Sequence, residues 1–226
     1  MHYRFFTGAG RTWPWAAIPL AVVFALASAA AVWANHSVGS PRHFYDNNND
    51  TVADAVDANQ NFQKLGAGWD TPKTQRYQEA LNTWRLNTDY NPMFVSAAVN
   101  GLYVSGEPTN CGLTWAEIPS ALGVTCRNER HQLVPDYWDI AQSWVYLNTG
   151  SGTWHIGTGT TPAGQWDMRG LMTHELGHTL RLMDLYNADC PPGPTMCGQI
   201  GTSADSLALR TLTSDDINSA NSVYLP

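Results

Sequence analysis

The stretch Thr173-His174-Glu175-Leu176-Gly177-His178-Thr179-Leu180-Arg181-Leu182-Met183-Asp184 constrains this chain more than any other. His174 and His178 stand four residues apart, so on an α-helix their imidazoles share one face, a turn apart, and can bind a single metal ion. Glu175 projects from the next position round. There it cannot displace an imidazole, yet it can reach a water on such an ion. The same letters also fit a surface helix that carries two histidines and an acid, so the flanking residues decide.

Two imidazoles do not complete a catalytic zinc site, which takes three protein ligands and keeps a fourth position open for water. Asp184, six residues after His178, is the candidate third ligand. On an unbroken helix it would lie about 15 Å along the axis from His174. The chain must therefore turn sharply after about Leu180. A residue in left-handed backbone makes such a turn, at a cost of about 1–2 kcal/mol where it is not glycine. His155 is the spare candidate should Asp184 not ligate, and His131 a poorer one.

With these residues in place, the stretch resembles the H-E-x-x-H-x-x-G-x-x-H motif of the metzincin metallopeptidases. Arg181 takes the Gly position, and Asp184 takes the last His, as in the snapalysin-like branch. Cys190-Pro191-Pro192-Gly193-Pro194-Thr195-Met196-Cys197 is similar to a metzincin Met-turn, whose methionine, here Met196, floors the metal-binding histidines. Arg210 to Ile217, with Val223-Tyr224, resembles the closing helix of matrixin-like peptidases. The resemblance covers roughly the last two-thirds of the chain and is strongest from Trp144 onward.

The resemblance implies an α+β, metzincin-like zincin fold: a twisted mixed sheet, two main helices above the cleft, and a small C-terminal lobe with one helix. It implies a secreted zinc-dependent metalloendopeptidase, with His174, His178 and Asp184 on Zn²⁺ and Glu175 as general base. Its partners would be protein or peptide substrates, and the enzyme a monomer. It also makes the strand at residues 140–148 the one at the cleft edge, where an extended peptide could pair as a further strand. The alternative there is a buried strand without substrate contact. Two other functions fit the same residues. One is a non-catalytic exported metal- or calcium-binding module with a degenerate zincin fold. The other is a zinc hydrolase acting on cell-wall amides.

Residues 15–34 are apolar except for Ser28 and follow Arg4 and Arg11, which reads as a signal peptide over residues 1–34. Ala27-Ser28-Ala29 and Val32-Trp33-Ala34 offer cleavage sites. An uncleaved leader would act as a membrane anchor. Residues 35–68 form a polar N-terminal segment, a short propeptide or a calcium loop, and residues 69–226 the catalytic domain. Asp46, Asn48, Asp50, Asp54 and Asp57 follow calcium-loop spacing, with Ca²⁺ as a second candidate cation, although a solvated loop leading into a helix is the better reading. The net charge of −7 and the absence of any Lys/Arg cluster exclude nucleic acid and anionic membranes as partners.

Four cysteines in an exported chain imply two disulfides, and proximity in sequence favours Cys111–Cys126 and Cys190–Cys197. Thr71-Pro72 reads as a helix cap, followed by Tyr77, Ala80, Leu81 and Trp84 on one helical face ending near Asn87. Residues 93–99 read as a strand. Residues 111–126 read as a loop or insert with helical character, and residues 150–164 as a loop leading toward the cleft. Asp167 caps the helix at 168–180, with Leu171, Met172, Leu176 and Leu180 on its apolar side. Thr213 and Asp216 open the last helix, with Ile217, Ala220, Val223 and Tyr224 facing inward.

Overall fold

The computed structural model describes residues 42–44, 59–133, 136–185, 195–198, 202 and 207–224. The leader, the proposed calcium loop and Cys190 lie outside the described residues, as does the His131 side chain.

Among the described residues, eight strands and three α-helices follow one another in the order β1 (Arg42–Phe44), β2 (Asn61–Leu65), α1 (Thr71–Arg85), β3 (Met93–Phe94), β4 (Asn100–Tyr103), β5 (Gly123–Leu133), β6 (Asp136–Leu147), β7 (Trp154–His155), β8 (Trp166–Asp167), α2 (Met168–Thr179) and α3 (Ser214–Tyr224). This is a mixed α+β architecture. β3, β2, β4 and β6 run parallel side by side, and β1 pairs parallel with the first part of β6. β5 closes the sheet as an antiparallel edge along β6, with a register shift between Asn128 and Glu129. β2 falls within residues 35–68, so this part of the polar segment is built into the sheet. β7 and β8 form a separate two-stranded ribbon.

Three local expectations change. The cap of α1 is Asp70, whose carboxylate accepts from Lys73 N at 2.8 Å. Thr71 and Pro72 are the first helical residues, and the helix stops at Arg85, short of Asn87. An ionised carboxylate one residue upstream competes better for the free N–H groups than a threonine hydroxyl does. The strand expected at 93–99 is paired only at Met93–Phe94. The segment at 111–126 shares only Cys111 with a 3₁₀ turn, Thr109–Cys111, and ends inside β5.

For the strand at 140–148 the structure favours the second of the two readings, a strand enclosed in the sheet. β6 has β5 along one edge and β4 with β1 along the other, so its backbone is already paired on both sides and no peptide can add to it. Among the described residues, β5 and β3 are the outer strands of the sheet.

The core lies between sheet and helices. Phe62, Leu102, Val145 and Leu147 meet Tyr77, Leu81 and Trp84 of α1 and Met172, Leu176 and Leu180 around α2, all fully buried. Burial on this scale carries the fold, at roughly 1.5–3 kcal/mol per large side chain. One set of polar groups inside it is satisfied in a chain. Gln60 donates to Ser143 Oγ and accepts from the Tyr90 hydroxyl, which in turn shares a 2.8 Å hydrogen bond with Thr179 Oγ1 near the end of α2. The sheet is thereby tied to the helix that bears the two histidines.

Candidate metal centre

α2 begins where Asp167, fully buried, accepts from Gly170 N at 2.8 Å. The same carboxylate pairs with Arg210, whose Nη2 lies 2.5 Å from Oδ2, and accepts from the Thr161 hydroxyl. Arg210 also donates to the carbonyls of Gly157, Thr158 and Gly159. One buried ion pair thus fixes the helix start, the preceding loop and the segment that leads to α3.

At its other end α2 stops in a Schellman arrangement. Leu180 is the C-cap, Arg181 N donates to His178 O at 2.9 Å, and Leu182 N donates to Gly177 O at 3.3 Å. This motif needs a left-handed residue after the cap, and Arg181 has φ +62°, the only non-glycine with positive φ among the described residues. The turn demanded by Asp184 is therefore made, and it is made by arginine. Its guanidinium lies 3.9 Å from Glu129 on β5.

The turn brings Asp184 Oδ1 to 3.2 Å from His174 Nε2 and 3.4 Å from His178 Nε2, with the two Nε2 atoms 3.2 Å apart. A tetrahedral cation with ligand distances of about 2.0–2.1 Å separates its donors by about 3.3 Å, so the three atoms match one face of such a polyhedron. Ring orientation agrees. His174 Nδ1 lies 2.7 Å from Thr195 O and His178 Nδ1 lies 2.6 Å from Leu182 O. A carbonyl can only accept, so both Nδ1 atoms carry a proton and both Nε2 atoms turn toward Asp184, where they donate to it while protonated and can ligate once a metal displaces that proton. Among the described residues, His174, His178 and Asp184 are the one such cluster that could hold a metal ion. His155 sits in β7, outside this cluster.

Burial pushes the Asp184 carboxyl upward, but hydrogen bonds from His174 and His178 outweigh it and hold the group far below the usual carboxylate range. For His174 burial acts to lower the pKa, and the Asp184 hydrogen bond together with Glu175 and Asp184 charge raises it overall. Both directions express one strong attraction, between donor atoms crowded in a buried corner.

Met196 is fully buried beneath the helix. A Cβ built on Gly177 would stand 2.3 Å from Met196 Sδ and 3.0 Å from the Trp84 ring, so glycine between the histidines lets the thioether and the indole close on the helix. Leu185 N donates to Met196 O at 2.8 Å and Gly198 N to Leu185 O at 2.9 Å, pairing the chain after the turn with the methionine segment. Asp216 fastens that segment from behind. Its carboxylate accepts from Thr195 N at 3.0 Å as well as from Thr213 N and Oγ1 at the start of α3. Cys197 is disulfide-bonded, and its expected partner Cys190 lies outside the described residues. Cys111 and Cys126 form a disulfide as expected.

The cluster opens into a cleft of about 830 Å³. Leu122, Gly123, Thr125 and Arg127 from β5 and its approach line it, together with Trp166, Leu171, Arg181 and Met183. Glu175 lines it and is 4 % exposed. Sequence reasoning did not find Thr125, Arg127, Gly123 or Gly198. Gly198 leaves the space in which Asp184 sits, since a Cβ there would meet Asp184 Cγ at 2.8 Å. A mid-helix glycine such as Gly177 was the one legible signal of close approach. The chain matches no protein-family model and no curated protein.

Proposed function

We propose that this chain is an exported zinc-dependent metalloendopeptidase of metzincin type, with a matrixin-like or snapalysin-like ligand set. The observation that carries the reading is the convergence of three metal donors beside a buried glutamate in an open cleft. The Met196 floor under the histidines, the antiparallel edge strand on the cleft wall and the two helices packed on the sheet support the same reading. Glycine at the turn is replaced, but Arg181 adopts the conformation that glycine would supply.

His174, His178 and Asp184 would hold the ion. Zinc bound there supplies Lewis acidity, making water nucleophilic near neutral pH and polarising the scissile carbonyl. Glu175 accepts the proton of the attacking water and returns it to the leaving amine. The Thr195 and Leu182 carbonyls keep the imidazoles in the tautomer that ligation needs. Export follows from the leader-like N-terminus; among the described residues no helix is long and apolar enough to cross a membrane.

The test is zinc determination with casein hydrolysis on wild type and Glu175→Ala. The expected result is near-stoichiometric zinc in both, hydrolysis abolished by a chelator, and a loss of about 10²–10⁴-fold in Glu175→Ala. Wild type that binds no zinc, or a variant as active as wild type, removes the proposal.

A further inference from the structure

β5 runs alongside α2, and its alternate residues Gly123, Thr125 and Arg127 all meet that helix. Arg127 donates to His178 O and is braced by Glu129 Oε1 at 2.8 Å, so a cation closes the carboxyl end of the histidine helix. Thr125 Oγ1 lies 2.7 Å from Glu175 Oε2 and 2.8 Å from Glu175 O. Gly123 lies against the other carboxylate oxygen; a Cβ there would stand 2.4 Å from Glu175 Oε1. The edge strand thus grips Glu175 on both carboxylate oxygens, by a hydrogen bond at one and by a fitted absence of side chain at the other.

A glutamate has three rotatable side-chain bonds, and leaving them free costs conformational entropy when one rotamer must be chosen. A hydroxyl aimed at Oε2 chooses it in advance. The contact does not involve the three metal donors, so losing it need not disturb them. We propose that Thr125 is a positioning residue for Glu175: its hydroxyl holds the proton-accepting carboxylate in one rotamer against β5. This rests on the peptidase reading for its consequence in turnover, but its geometric content stands apart.

The experiment compares Thr125→Val, which keeps the branched shape and loses the hydroxyl, with Thr125→Ser, which keeps the hydroxyl. Crystal structures and zinc content are taken for each variant, along with kcat and KM on a peptide that wild type cleaves. Thr125→Val is expected to bind zinc as wild type does, to show Glu175 in a changed or divided rotamer, and to lose about 10–100-fold in kcat with KM within about threefold. Thr125→Ser is expected to restore the rotamer and most of the turnover. Gly123→Ala, an independent variant, is expected to displace the carboxylate from the opposite side. A Thr125→Val structure with Glu175 unmoved overturns the proposal whether or not any peptide is cleaved, as does an equal loss in Thr125→Ser. Failure of the peptidase reading shows separately, as wild type without zinc or without hydrolysis sensitive to Glu175→Ala.

Discussion

Arg181 is where local preference and site geometry conflict most openly. Its left-handed backbone, φ +62°, is paid in strain of about 1–2 kcal/mol relative to an ordinary helical residue. The Glu129 contact at 3.9 Å involves a partly exposed side chain and offsets less than about 1 kcal/mol of that. Arg181→Gly is therefore expected to match or exceed wild type in urea denaturation and to keep its metal affinity. Arg181→Val, β-branched and barred from this region, is expected to lose about 1–2 kcal/mol and to bind zinc more weakly because Asp184 moves with the turn. Equal stability of the two variants would count against the turn described here. The need for such a residue was legible from the distance Asp184 had to travel. That arginine would accept it was not, because the decision rests on hydrogen bonds to Gly177 O and His178 O that only the folded helix end provides.

His174 gives a second residue-scale expectation. Its folded pKa is raised above the ordinary value of about 6.5, so in metal-free protein its attraction to Asp184 stabilises fully below about pH 6.5 and fades as pH rises through the folded value. A metal needs the unprotonated ring and must displace that proton. The increase in Tm on adding zinc should accordingly be larger at pH 8 than at pH 6, measured by thermal denaturation with and without the ion. A pH-independent increase would mean that His174 does not ligate.

At the scale of elements, what was legible tracked the strength of the local pattern. α2 and α3 were found with their caps because Asp167, Thr213 and Asp216 announce them chemically. β5 was missed. Val124-Thr125-Cys126-Arg127-Asn128-Glu129-Arg130-His131 carries polar or charged residues at nearly every position, as an edge strand does, and three of its inward positions serve α2 instead of the core. Asp167 offers the sharpest test of how an element is anchored. Asp167→Ala removes the cap, worth about 1 kcal/mol, and leaves the Arg210 guanidinium buried without its carboxylate, a further loss of about 3–5 kcal/mol. In the double variant Asp167→Ala/Arg210→Met the stranded charge is gone. Denaturant titration is expected to show it less destabilised than the sum of the two single variants by more than about 1 kcal/mol. Additive losses would mean that the pair is not coupled.

For the whole molecule, the α+β class was expected from the family resemblance, whereas the strand order was not legible. β2, β4 and β6 pair across separations that local sequence cannot report, and their register is set by Phe62, Leu102 and Val145 meeting the helices. The same core decides what happens when metal is withdrawn. Small metal-dependent domains unfold without their ion because nothing else holds them. Here the two imidazoles are oriented by the Thr195 and Leu182 carbonyls, and Asp184 is delivered by a turn closed with backbone hydrogen bonds. The helix beneath them is clamped by Trp84, which donates to Thr173 O at 2.8 Å, and by Met196. None of these contacts passes through a cation. Chelation should therefore lower the unfolding free energy by the linkage amount, about 4 kcal/mol if free zinc had stood at about a thousand times its Kd, and lower Tm with it, while leaving the fold intact at 25 °C. The near-UV circular dichroism of the buried tryptophan and tyrosines is the measurement. Its persistence after chelation, with recovery of the original Tm on adding zinc back, is the expected outcome; collapse of that signal would show that the core alone does not hold the site.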